Sequence, residues 1–176
     1  MTRAALVVVG PPASGKTTVG TAVAATLGLP FRDTDADVEA QSGTTIADLF
    51  VEQGEPHFRA LEERAVARAL AEHDGVLALG GGAVTSAATR RLLVAHGRAG
   101  GTVVWLDVDV ASAAKRVGLS RDRPLLSVNP RAMLRTMLEA RAPLYAEVAT
   151  VTVSTAGRPI DQVVTEVLAA VGSVAR

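Results

Sequence analysis

Cysteine is absent from this 176-residue chain, which removes disulfides, thiolate catalysis and cysteine-type zinc sites together. Neither sign of charge is in excess: 18 basic and 18 acidic residues give a formal net charge of 0. Without an overall positive field to hold a polyanion, nucleic acid is not an expected partner. No apolar run approaches the roughly 20 residues of a membrane span, so no membrane is expected either. The opening MTRAALVVVG enters an apolar segment too short for a signal h-region with its cleavage site, and we read it as the first strand of a cytoplasmic protein. His57, His73 and His96 show no metal-ligand spacing. No fixed-period repeat and no Ser/Pro/Gly linker divides the chain, so one domain over residues 1–176 is expected. Its 48% hydrophobic content excludes disorder.

Apolar runs of strand length recur at Ala4–Val9, Leu29–Arg32, Val76–Leu79, Thr102–Leu106 and Val151–Val153. They are continuous, as strands covered on both faces are. Alanine-rich helical stretches lie between them: Thr17–Leu27, Glu55–Glu72, Ala87–Ala95, Val110–Arg116, Arg131–Ala140 and Ile160–Val171. The alternation predicts an α/β domain with a parallel, about five-stranded sheet and helices on both faces. Trp105 falls in a predicted central strand and is expected in the core. The irregular segment 118–130 is longer than most connections in compact domains, and we read it as a mobile lid.

Gly10-Pro11-Pro12-Ala13-Ser14-Gly15-Lys16-Thr17 satisfies GxxxxGK[ST], with a hydrophobic strand before it and a helix after it. Glycines let the backbone curl so that successive N–H groups converge on an anion at a helix N-terminus. Lys16 then reaches the outer phosphates, and the Thr17 hydroxyl is placed for Mg²⁺. The motif establishes a nucleotide site but leaves open whether the γ-phosphate goes to water, to a small molecule or nowhere.

The stretch DTDADVE sets acids at Asp33, Asp35, Asp37 and Glu39. A calcium loop would need glycine at its sixth position, where Val38 stands. Ligands of doubly wound sheets bind at strand carboxyl ends, so Asp33 and Asp35, where the second strand should end, are the candidates. Asp37 and Glu39 fall in the first turns of a following helix, where negative charge suits the dipole. Arg59 and Glu62 are three apart on a predicted helix, so Glu62 can orient the guanidinium for a carboxylate or phosphate, unless the two form an ordinary surface ion pair. Gly80-Gly81-Gly82 follows a strand and reads as a substrate contact, the alternative being a flexible turn. Arg116, Arg121 and Arg123, at and within the lid segment, could close over a phosphoryl group or be solvated surface arginines.

In order and approximate spacing, GPPASGKTT, FRDTDADVE, GTTIADLFVEQGEPHFRALE, LALGGGAV, VVWLDV, RPLL and RAPLY resemble the shikimate kinase family over nearly the whole chain. The resemblance implies a P-loop NTPase fold and ATP- and Mg²⁺-dependent phosphorylation of the shikimate 3-hydroxyl, on the route to chorismate and aromatic amino acids, by a monomer. It implies that Gly10 to Thr18 hold ATP, with Lys16 on its phosphates, and that Thr17 binds Mg²⁺ with Asp33 nearby through water. Asp35 would bind the acceptor hydroxyl as the general-base candidate, and Arg59 and Arg141 would grip the shikimate carboxylate, with Glu62 orienting Arg59. Gly80, Gly81 and Gly82 would offer backbone donors to ring hydroxyls, Arg123 would reach the phosphates from the lid, and Arg116 would lie along the adenine. Ala13 departs from a glycine common at its position. The other readings weighed are a gluconate or nucleoside monophosphate kinase, which also use a lid, and a non-catalytic nucleotide-binding regulator. Asp33, Asp35, the GExxFR stretch and the glycine triplet speak against them.

Overall fold

A computed structural model describes residues 4–118 and 130–174. Five strands, β1 (Leu6–Val9), β2 (Phe31–Asp33), β3 (Val76–Ala78), β4 (Thr102–Asp107) and β5 (Val151–Ser154), form one sheet in the order β2-β3-β1-β4-β5. All four pairings are parallel, as the alternation of strand and helix predicts. The continuous apolar runs are explained by two-sided burial. Leu6 and Val8 face α1 (Lys16–Leu27) and α7 (Ile160–Val174) through Val19, Val23, Val163 and Val167. Val7 and Val9 face the other way, toward α3 (Ile46–Glu72), α4 (Ala87–Arg98) and α6 (Pro130–Val148), through Leu70, Leu93 and Tyr145. Each such aliphatic side chain stabilises the fold by about 1.5–3 kcal/mol relative to exposure.

Two helices differ from expectation. The helix expected from Glu55 begins at Ile46 and is broken at Gly54, whose φ of 80° and ψ of 164° suit glycine alone. Ahead of that break the segment is capped by Thr45, whose side chain accepts from Asp48 N–H, and packs Leu49 and Phe50 with Val38 and Phe58 in a small core of its own. Val38 belongs to α2 (Thr34–Ser42), which follows β2 without a loop. The second extension is α6, which starts at Pro130 and runs to Val148 rather than ending near Ala140. Proline suits that first position because its missing N–H would have no helical partner there.

Because β2, β3 and β1 are neighbours, the segments leaving their carboxyl ends lie side by side. These are the start of α2, the glycine triplet and the phosphate loop. The chain leaves β1 toward β2 on one side while β4 lies on the other, so the three meet at the switch point where ligands of such sheets bind. The expected lid has only its ends described, in α5 (Val110–Gly118) and α6; Arg121 and Arg123 lie outside the described residues.

Candidate active site

The phosphate loop is drawn tight over β1. A Cβ on Gly10 would lie 2.7 Å from both the Leu106 carbonyl oxygen and the Ser14 hydroxyl. Ala13, at a φ of 65°, is the one left-handed non-glycine among the described residues, at the position where the resemblance expects glycine. Gly15 caps α1 without any side-chain hydrogen bond, and no acid stands in the first turn. Such a helix start, capped by glycine and free of acids in its first turn, suits an anion. Lys16 Nζ donates to the Pro11 carbonyl at 3.0 Å, so its ammonium spans the loop. Thr18, one residue beyond Thr17, is exposed in that same first turn. Arg116 joins the loop to the turn after β5: its Nη1 donates to the Ala13 carbonyl at 2.9 Å and to Thr155 Oγ1 at 3.1 Å, and its Nη2 to the Thr155 carbonyl at 2.9 Å. Thr155 went unassigned from sequence, and only the return of β5 beside β4 brings it there.

The acids divide as neighbours dictate. Thr17 Oγ1 donates to Asp33 Oδ2 at 2.9 Å, while Asp33 Oδ1 accepts the Asp35 N–H at 3.0 Å and so caps α2. Asp35 is thus in the first turn of a helix rather than at a strand end as expected, because β2 stops at Asp33 and Thr34 is already helical. Burial raises its carboxyl to about 6, reinforced by Asp33 and Glu62 and opposed by Lys16. Asp37 accepts from Arg32 Nε at 2.8 Å, and Glu39 accepts the Ile46 N–H at 3.0 Å. Among the described residues no three His, Cys, Asp or Glu side chains gather to hold a metal alone. A hydroxyl and a carboxylate at 2.9 Å are hard oxygen donors that fit a magnesium ion sharing its remaining positions with phosphates and water.

Across the cleft, Arg59 Nη1 donates to Glu62 at 2.6 Å and its Nε and Nη2 donate to Glu55 at 3.2 and 3.1 Å. The guanidinium also lies 5.1 Å from the Phe58 ring centre. Glu62 is buried, which pushes its carboxyl up against the pull of Arg59 and Arg141. Glu55 is a second holder that the three-residue spacing alone does not announce, although four residues also share a helix face.

The glycine triplet carries no side chains because the site's own groups close on it. A Cβ on Gly80 would overlap the Asp35 and Glu62 carboxylates, one on Gly82 the Arg59 guanidinium, and one on Gly81 would lie 2.7 Å from Pro12. Of the three expected backbone donors, Gly80 is a correction: its buried N–H donates to Thr34 Oγ1 at 3.1 Å, so it is already committed. Arg141 Nη1 donates to the Gly81 carbonyl at 3.2 Å and Tyr145 Oη donates to the same oxygen at 2.5 Å. The structure thus brings Lys16, Thr17, Asp33, Asp35, Arg59, Glu62, Gly80–Gly82 and Arg141 to one edge, with Arg116 on the far side of the loop. Trp105 packs against the core as expected, stacked on Tyr145.

Shikimate kinases lead the comparisons with known proteins, although a solved gluconokinase from Sinorhizobium meliloti also superposes, with a TM-score of 0.61 at 26% identity, covering 98% of this chain and 93% of that one. The family model described as shikimate kinase matches residues 12–172. A shikimate kinase of Frankia casuarinae is 57% identical over 167 residues, spanning 95% of this chain and 72% of that protein. One of Salinispora arenicola is 57% identical over 163 residues, spanning 93% and 95%. The solved structure of a shikimate kinase from Acinetobacter baumannii in complex with shikimate superposes with a TM-score of 0.87 at 37% identity, covering 96% of this chain and 92% of that one.

Proposed function

Because the chain belongs to the shikimate kinase family, a family of P-loop kinases that phosphorylate shikimate with ATP and Mg²⁺, we propose how its own residues divide that reaction. The observation that carries the reading is one continuous run: Thr17 bonded to Asp33, Asp33 to the Asp35 amide, and Asp35 set against Gly80 beside Glu62. This run supports reading Asp35 as the acceptor-side carboxylate beside the phosphate side. The N–H groups at the start of α1, with Gly10 to Thr18, hold the nucleotide phosphates, and Lys16 swings from the Pro11 carbonyl onto them. Thr17 and Asp33 hold Mg²⁺, which supplies charge neutralisation on the phosphates when bound. Arg116 flanks the adenine with Thr155.

On the acceptor side, Arg59 and Arg141 take the shikimate carboxylate, since planar guanidiniums match it bidentately. Glu62 and Glu55 fix Arg59, and Gly81 and Gly82 present their backbone to the ring hydroxyls. Asp35 accepts the hydrogen of the 3-hydroxyl and orients its oxygen toward the phosphorus; its raised affinity for a proton suits that task. Phosphoryl transfer rests mainly on positioning and charge stabilisation, so orientation by Asp35 carries as much weight as proton removal. The role of Arg123, reaching the phosphates from a lid over 118–130, rests on the sequence alone.

No helix among the described residues is long and apolar enough to cross a membrane. We propose a cytoplasmic monomer of one domain, acting on a small molecule and on neither nucleic acid nor membrane, a reading that rests on the neutral net charge and the absence of long apolar runs in the sequence. The deciding experiment is a coupled assay of ADP release with shikimate, gluconate and nucleoside monophosphates in parallel. Turnover with shikimate alone is expected; turnover of another acceptor with none of shikimate would overturn the reading. Size-exclusion chromatography with light scattering tests the monomer.

A further inference from the structure

The sequence contains one tyrosine and one tryptophan, and the fold stacks them with ring centroids 5.6 Å apart and planes 25° apart. Tyr145 is buried, with its ring in the cluster that includes Val9, Leu79 and Val103. Its hydroxyl points out of that cluster and donates to the Gly81 carbonyl at 2.5 Å. Arg141, one turn earlier on the same face of α6, donates to the same oxygen at 3.2 Å. Three groups therefore close on one another. The Gly81 peptide they share lies against Pro12 of the phosphate loop and is followed by Gly82, against which Arg59 packs.

We propose that Tyr145 is a positioning residue for acceptor binding: anchored in the core by its ring, it holds the Gly81 carbonyl and the Arg141 guanidinium in the geometry that the acceptor carboxylate meets. The inference rests on the reading of Arg141, Gly81 and Gly82 as acceptor contacts. A guanidinium on a flexible stem loses rotamer freedom when it binds, and one already docked on a fixed carbonyl loses less. Without the phenol, Arg141 keeps its charge but not its placement. Burial pushes the phenol up to about 12, so it remains a donor throughout the range in which a kinase is assayed.

The test is Tyr145→Phe, which keeps the ring and the stack on Trp105. Steady-state kinetics at saturating MgATP should give a KM for shikimate raised about fivefold to tenfold, the loss of one fixed hydrogen bond, with kcat and the KM for ATP within about twofold. KM does not depend on the folded fraction of a preparation, so partial loss of fold cannot imitate this split. Added to Arg141→Lys, the same change should raise KM by less than about twofold further, because the two side chains act on one oxygen and are not independent. An unchanged KM for shikimate, an equal rise in both KM values, a fall in kcat alone, or full multiplication of the two defects would overturn the assignment. Failure of the unaltered protein to phosphorylate shikimate would instead strike the reading on which it rests.

Discussion

Asp35 is a carboxylate in a place that favours its neutral form. Burial raises its pKa from 3.8 to about 6, and the neighbouring Asp33 and Glu62 add to the effect. The folded protein therefore holds this proton more tightly than the unfolded chain does. The contribution of Asp35 to stability is full below about pH 4, where it is protonated in both states, falls as pH rises toward about 6, and is lost above that. At 1.36 kcal/mol per pKa unit the loss is on the order of 3 kcal/mol. Asp35→Asn removes the charge, so in nucleotide-free protein at pH 7.5 the variant should melt several degrees above the parent. That advantage should shrink toward pH 4.5. Its kcat should fall by about 100-fold or more, the usual worth of a positioned base. Differential scanning fluorimetry across pH, with kinetics on the same samples, checks both; a variant that is active, or less stable at pH 7.5, contradicts the role. Such a site is strained for function, and the conflict was only half legible. The acids are plain in DTDADVE, but the burial of Asp35 is not, and of its two acidic neighbours Glu62 is distant in sequence and comes near only through the turn of α3 over the sheet edge.

The element that sequence reading missed shows how packing outweighs local signals. Ile46, Leu49 and Phe50 are spaced as a helix face, yet eight residues closed by Gly54 are too short for that pattern to stand out. The segment is helical because α2 offers Val38 and the following turn offers Phe58 for it to bury against. Gly54 then lets the chain change direction just before Glu55 and Arg59, so the break sets where the guanidinium lies relative to Gly82. Gly54→Ala forces a side chain into a backbone region that costs about 1–3 kcal/mol for other residues. The expected result is a Tm lower by several degrees together with a KM for shikimate raised severalfold, while the KM for ATP holds. Loss of stability with no change in acceptor KM would mean that the break serves folding alone. The strands, by contrast, were legible because two-sided burial writes itself as unbroken apolar runs such as LVVV.

At the scale of the molecule, what sequence could not supply is adjacency. Motifs appear along the chain in the order phosphate loop, acids, Arg59, triplet, whereas the sheet order β2-β3-β1 sets the triplet between the acids and the loop. That insertion makes one cleft of two half-sites, with Asp33 at the seam: one oxygen meets Thr17, the other caps α2 and so fixes Asp35. Occupation of the nucleotide half should therefore register in global stability through Asp33. A ligand at about 100 times its Kd stabilises the folded state by about 2.7 kcal/mol, which for a chain of this size moves Tm by roughly 5–11 °C. MgATP should produce a shift of that order, and chelating the metal with EDTA while leaving ATP in place should remove much of it. Asp33→Asn isolates the metal contribution, because asparagine caps helices as well as aspartate and leaves α2 intact, yet offers the metal a neutral amide oxygen in place of a carboxylate. Its shift with MgATP should fall to the level that the parent shows with ATP and EDTA. If the variant kept the full magnesium-dependent increment, Asp33 would be a cap and nothing more, and the metal would have to be held by Thr17 and the phosphates alone.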